Sequence, residues 1–113
     1  MNHLTWSKTE KLVAKTAFEK AYRKECEAIV QELKGNVASV KEPGDLWHVL
    51  DFLTKKRNEI ERKYDYRYSV LIFVLATLLK EGWLRETDLK GLNEDKLQTI
   101  GFLTNPEKFR DST

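Results

Sequence analysis

Apolar residues recur every three or four positions along most of this chain, the spacing that lines up one face of a helix. From Ser7 onward they read Ala14, Phe18, Tyr22, Cys26, Ile29, Leu33, Val37 and Val40. Between them lie Lys15, Glu19, Lys20, Arg23, Lys24, Glu27 and Lys34, a solvated face of mixed sign. Ser7 and Glu10, three apart where the pattern begins, form a capping box in which each side chain can satisfy an orphan amide. Gly35-Asn36 weakens the pattern and could end the helix early. Pro43-Gly44-Asp45 is a firm turn, with Asp45 as the next N-cap.

A second stripe runs Leu46, Val49, Leu50, Leu53, Arg57, Ile60 and Tyr64. A third segment, from about Asp65 to Glu81, holds the longest apolar run and stops at Gly82, a natural left-handed C-cap. Two short pieces follow, near Glu86–Leu92 and Asn93–Phe102, with Asn93 as a cap and Pro106 in a frayed tail. The β-branched residues sit mostly in helical register. The pattern predicts an all-α chain folded as one domain over residues 1–113.

Length then argues for association. A helix from Ser7 to about Val40 would span roughly 50 Å. A compact chain of this size has a radius of gyration of about 13 Å. A helix longer than its own globule leaves part of its stripe uncovered, and a second copy packed with two-fold symmetry is the simplest cover. The expectation is a homodimer, weakened if Gly35 breaks the helix.

Composition narrows the function. The chain is 41% hydrophobic and 34% charged with a formal net charge of +2, too small to imply nucleic acid or anionic lipid as a partner. The run Val70–Leu79 is about half of the roughly 20 residues that a membrane span needs. MNHLTWSKTEK lacks the apolar core of a secretory signal, so the cytoplasm is the expected compartment. The single cysteine, Cys26, lies on the first stripe and is expected to be buried and inert. His3 and His48 have no carboxylate or thiol at ligand spacing, so no metal is expected. No nucleophile triad, phosphate-cradling loop or dedicated acid–base pair appears, which argues against an enzyme.

The second stripe holds the candidate chemistry. Arg57 stands among leucines, where a guanidinium must find a carboxylate, reach water or serve a partner. Trp47 and Asp51, four apart, adjoin that stripe. Together the three could be a recognition patch of hot-spot residue types. They could also be a structural ion pair, Asp51 with Arg57, within the chain or across the dimer, with Trp47 as core, and both readings hold if a dimer seam borders a binding groove. Lys55, Lys56, Arg57, Arg62 and Lys63 are interleaved with Glu59 and Glu61, and Glu59 precedes Lys63 at the favourable spacing, so a solvated face is expected. Tyr64, Tyr66 and Tyr68 read as a corner packed by aromatic rings with wet hydroxyls. Phe73, inside the apolar run, reads as core unless that end of its helix is open to a partner.

The segments FEKAYRKEC, DLWHVLDFLTKKRNEIERKYDYRYSVLIFVLATLLKEG and DLKGLNEDKLQTI, spread over Trp6 to Ile100, resemble the fluorescence recovery protein family of cyanobacteria. In that family the recovery protein binds light-activated orange carotenoid protein, which quenches the phycobilisome, and speeds its return to the orange form. The resemblance implies a long-helix stalk (about 7–64) that forms the dimer, a smaller helical head (about 65–103) and a tail at 104–113. It implies partner-binding roles for Trp47, Asp51, Arg57 and Phe73. It also places Leu46 in a dimer seam, here read with Trp47, Leu50, Leu53 and Arg57. No cofactor is implied. Two positions depart from the better-known members: Leu50 replaces a histidine directly before the aspartate, and Thr99 falls where a lysine is used. The alternative reading is a dimeric adaptor for an unrelated bacterial client.

Overall fold

The computed structural model describes residues 5–107. Helix α1 spans Lys8–Ala38, α2 Pro43–Lys63, α3 Leu71–Lys80 and α4 Glu94–Thr104, with a 3-10 turn at Glu86–Leu89 before α4. Among the described residues there is no β-strand, only an isolated bridge between Lys90 and Leu92. The all-α expectation holds. His3 and most of the tail expected at 104–113 lie outside the described residues, and Thr104 itself closes α4.

Helix α1 passes through Gly35 unbroken. An interior glycine costs only about 1 kcal/mol, and the Ser39 hydroxyl donates to the Gly35 carbonyl at 3.1 Å. The capping box is present: the Glu10 amide donates to Ser7 Oγ, and the Ser7 amide to Glu10 Oε1, each at 3.1 Å. Asp45 is not the cap of α2. That helix starts at Pro43, which has no N–H to leave unpaired. Asp45 sits two residues further in and accepts the amides of Lys41 and Glu42, both at 3.1 Å. Those two backbone bonds hold its carboxyl below the usual carboxylate range.

The helix expected over Asp65–Glu81 forms only at Leu71–Lys80. The residues before it make the aromatic corner: Phe18 meets Tyr64 and Tyr66 edge-on at 5.3 and 4.8 Å, and Tyr22 meets Tyr64 at 5.3 Å. The Tyr64 hydroxyl, expected to meet only water, donates to Glu25 at 2.9 Å. Gly82, at φ 88°, ends α3 in a Schellman motif: Trp83 N–H donates to Leu78 C=O at 2.9 Å and Gly82 N–H to Leu79 C=O at 3.1 Å.

The core lies around α3, whose Leu71, Ile72, Val74, Leu75, Ala76 and Leu78 are buried. Facing them from α1 are Ala14, Ala17 and Ala21, small enough for close helix approach, with Leu84, Leu89, Leu92 and Ile100 closing the other sides. The buried face of α1 is therefore rotated from the predicted stripe. Phe18 and Cys26 are half-buried and Tyr22 is exposed. Past Ala21, α1 buries no residue fully, and α2 buries none at all. These two helices run antiparallel, linked by Lys63–Glu25 at 2.7 Å and Lys56–Glu32 at 3.9 Å. The radius of gyration is 17.5 Å and the extents are 55 × 34 × 27 Å, well beyond a compact globule of this length.

Two charged residues sit inside this core. Glu10 and Lys96 pair at 3.0 Å with side chains 2% exposed. Glu10 also accepts the Asn93 amide at 2.9 Å, and Lys96 donates to the Thr5 carbonyl at 2.6 Å while its ammonium lies 4.9 Å from the Trp6 ring. The pair thus ties the start of α1 to the start of α4.

Gly91, at φ 113°, closes the approach to α4, and an added Cβ there would stand 2.8 Å from Val13 Cγ2. Gly91→Ala combines a backbone conformation unfavourable to L residues with a clash, so it should destabilise the fold by about 1–3 kcal/mol. Urea unfolding checks this: an unchanged midpoint would mean the turn relaxes without cost.

Candidate interaction surface

Helix α2 has too few partners to cover its apolar side. Leu46, Trp47, Leu50 and Leu53 are 52, 60, 53 and 38% exposed. At 100° per residue, Leu46, Leu50, Leu53 and Arg57 share one stripe, while Trp47 and Asp51 form the adjoining row. Val30 and Val37 add exposed apolar surface on α1. Monomers rarely expose apolar surface in contiguous patches larger than a few hundred Å².

Arg57 points outward, with its side chain 78% exposed, and its Nε donates to Glu61 Oε2 at 3.3 Å. Within the chain it does not meet Asp51. Six residues apart, the two lie about 120° away from each other around the helix axis. The Asp51 carboxylate makes no hydrogen bond or ion pair among the described residues. Trp47 is not core within one chain. Phe73 is not core either: it is 57% exposed on the outer side of α3, beside the exposed Thr77. It stands on a different element from Trp47, Asp51 and Arg57, so the chain presents two apolar features rather than one four-residue site.

Among the five basic residues of α2, Lys56, Arg57 and Lys63 are ion-paired, while Lys55 and Arg62 have no side-chain partner among the described residues. Lys56 lies 3.8 Å from Glu59, and Lys63 bonds Glu25 and, at 2.6 Å, Glu81. The expected Glu59–Lys63 pair is absent because Lys63 turns toward α1 and the end of α3. Burial opposes its charge, but the hydrogen bonds to Glu25 and Glu81 win and raise its pKa. Tyr64, half-buried and donating to Glu25, is pushed up as well. His48 is exposed helix surface, as expected, and with Asn36, Ser39, Asp45 and Val49 it lines a cleft of 260 Å³ at the hairpin tip. Cys26 departs from expectation: it is only half-buried and lines an open groove of 510 Å³ with Phe18, Tyr22 and Val30. Among the described residues, no cluster of three or more His, Cys, Asp or Glu could hold a metal, and no helix is long and apolar enough to cross a membrane.

The Glu10–Lys96 pair and the Glu25–Lys63–Glu81 network escape sequence reasoning. Glu10 announces itself as a cap, but nothing local signals a partner 86 positions away. Lys63 has a nearer acid at the right spacing, which misleads.

A family profile described as the photoprotection regulator fluorescence recovery protein matches residues 6–104. The chain belongs to the fluorescence recovery protein family. The fluorescence recovery protein of Synechocystis is 41% identical over 95 residues, covering 84% of this chain and 87% of that relative. Among solved structures, the recovery protein of Fremyella diplosiphon is 50% identical and superposes with a TM-score of 0.84 over 89% of this chain and 99% of the other. The Synechocystis recovery protein structure is 40% identical, with the same TM-score and coverage. The family is thus described as a regulator of photoprotection, and its solved members share this helical fold.

Proposed function

We propose that this chain is a non-enzymatic regulator that binds photoactivated orange carotenoid protein and accelerates its return to the orange form, ending phycobilisome quenching. The observation that carries the reading is the uncovered Leu46–Trp47–Leu50–Leu53 surface ending on Arg57, in a member of the recovery family. Two copies pair through the α1–α2 hairpin as a stalk, with α3 and α4 as the head, and the complex acts in the cytoplasm. Trp47 supplies apolar area to the client, Asp51 and Arg57 supply orientation and salt sensitivity, and Phe73 makes a second contact from the head. Holding the separated parts of the client near their compact arrangement turns a slow re-docking into a nearly unimolecular step, and proximity of this kind can remove several kcal/mol from a barrier. To accelerate recovery repeatedly, the regulator must release the orange form, so it favours the activated state only modestly.

Arg57→Leu discriminates the two roles of the arginine. The substitution should abolish the acceleration of dark recovery while leaving helicity and size-exclusion volume unchanged. Loss of the dimer instead would assign Arg57 to the seam. Leu50 and Thr99, which depart from the better-known members, favour a second reading in which the same dimer surface serves as adaptor for another bacterial client. Under that reading the chain would leave carotenoid-protein recovery unchanged.

A further inference from the structure

Helices α3 and α4 and the turn at Glu86–Leu89 enclose a groove of 570 Å³, away from the α2 surface. Leu89 and Ile100 are buried at its base, and the half-buried Leu79 and Leu97 present apolar surface into it. Glu86 and Glu94 line it as exposed side chains. Neither carboxylate makes a hydrogen bond or an ion pair among the described residues, and no lysine or arginine lines the groove. Glu94 opens α4, where an acid suits the helix dipole. Glu86 opens only a four-residue turn and has no such reason to be there.

We infer that this groove is a second docking surface, for a cationic amphipathic helix of a partner protein. The groove follows α4 from Glu94 to Asn105, roughly 16 Å along the axis. A docked helix that anchors through positions i, i+3 or i+4, and i+7 needs about 10 Å, so three apolar anchors fit. Its volume lies within the range of roughly 300–1,000 Å³ usual for binding pockets. The unpaired carboxylates then meet lysines or arginines beside the anchors, and the absence of lining cations disfavours anionic ligands. The helices of a second copy are poorer occupants, because their basic residues alternate with acids: Glu59 and Glu61 stand among the cations of α2, and Glu19, Glu25 and Glu27 among those of α1.

The test uses the full ¹⁵N-labelled chain titrated with a fourteen-residue amphipathic peptide of leucine and lysine, followed by heteronuclear NMR. A control peptide carries glutamate at every lysine. Amide shifts should concentrate at Leu89, Leu97, Gln98 and Asn105, and the glutamate peptide should not bind. Combining Glu86→Lys with Glu94→Lys, both exposed, should lower the melting temperature by only a few degrees, through the reversed charge at the start of α4, yet weaken binding by about tenfold or more. Shifts confined to Trp47 and its neighbours, no shifts at all, equal binding of the glutamate peptide, or affinity indifferent to the charge reversal would each overturn the inference.

Discussion

Glu10→Ala should destabilise the fold by about 3–5 kcal/mol, because it leaves the Lys96 ammonium buried without its carboxylate. For a domain of this size that corresponds to a fall of roughly 12–20 °C in melting temperature. The substitution also removes an acceptor from the Ser7 and Asn93 amides. A double variant, Glu10→Leu with Lys96→Met, should recover much of the loss, since neither buried charge remains. The pH dependence has a definite sign. Burial alone would raise the Glu10 carboxyl pKa, but the Asn93 and Ser7 amides and Lys96 hold it at about 2, below its ordinary 4.5. A depressed carboxylate stabilises the fold above the unfolded-state value and loses that contribution as pH falls from about 4.5 toward 2. The gap between the wild type and Glu10→Ala should therefore narrow over that window. Urea titrations at several pH values measure it. Strictly additive single and double variants, or a pH-independent gap, would show that the pair is not coupled.

Leu46→Glu should convert the proposed dimer to monomer. Leu46 is half exposed in one chain, on the stripe proposed as the seam. Burying a leucine contributes about 1.5–3 kcal/mol, and two-fold symmetry applies each substitution twice. The dissociation constant should rise on the order of a hundred- to ten-thousand-fold, before the added cost of bringing carboxylates together. Each monomer should keep its fold, because the core around α3 includes no residue of α2. Sedimentation equilibrium paired with circular dichroism reads both quantities. An unchanged dimer would place the interface elsewhere, and a monomeric wild type would remove the dimer from the account.

Where the sequence was informative, the signal was local. The Ser7–Glu10 box, the Gly82 stop and the three-and-four spacing are read within one or two turns, and each appears in the fold. The rotated face of α1 was hidden because large apolar residues dominate a periodicity reading, whereas Ala14, Ala17 and Ala21 make the tight contact with α3. For Phe73 the sequence left two readings, core or a face open to a partner, because an all-apolar helix gives no clue to which side remains open; its exposure removes the core reading. Arg57 was legible as an anomaly on its stripe, and its exposure explains how the charge is tolerated. Its intrachain partner, Glu61, was the acid four residues on rather than Asp51. The Glu10–Lys96 pair depends on an encounter between chain ends that no local pattern encodes.

Dark recovery of photoactivated orange carotenoid protein, followed by absorbance with and without this chain, tests the central claim most directly. The account predicts faster recovery that saturates at substoichiometric protein. Recovery unchanged across several carotenoid-protein types, with the helical fold intact, would contradict it.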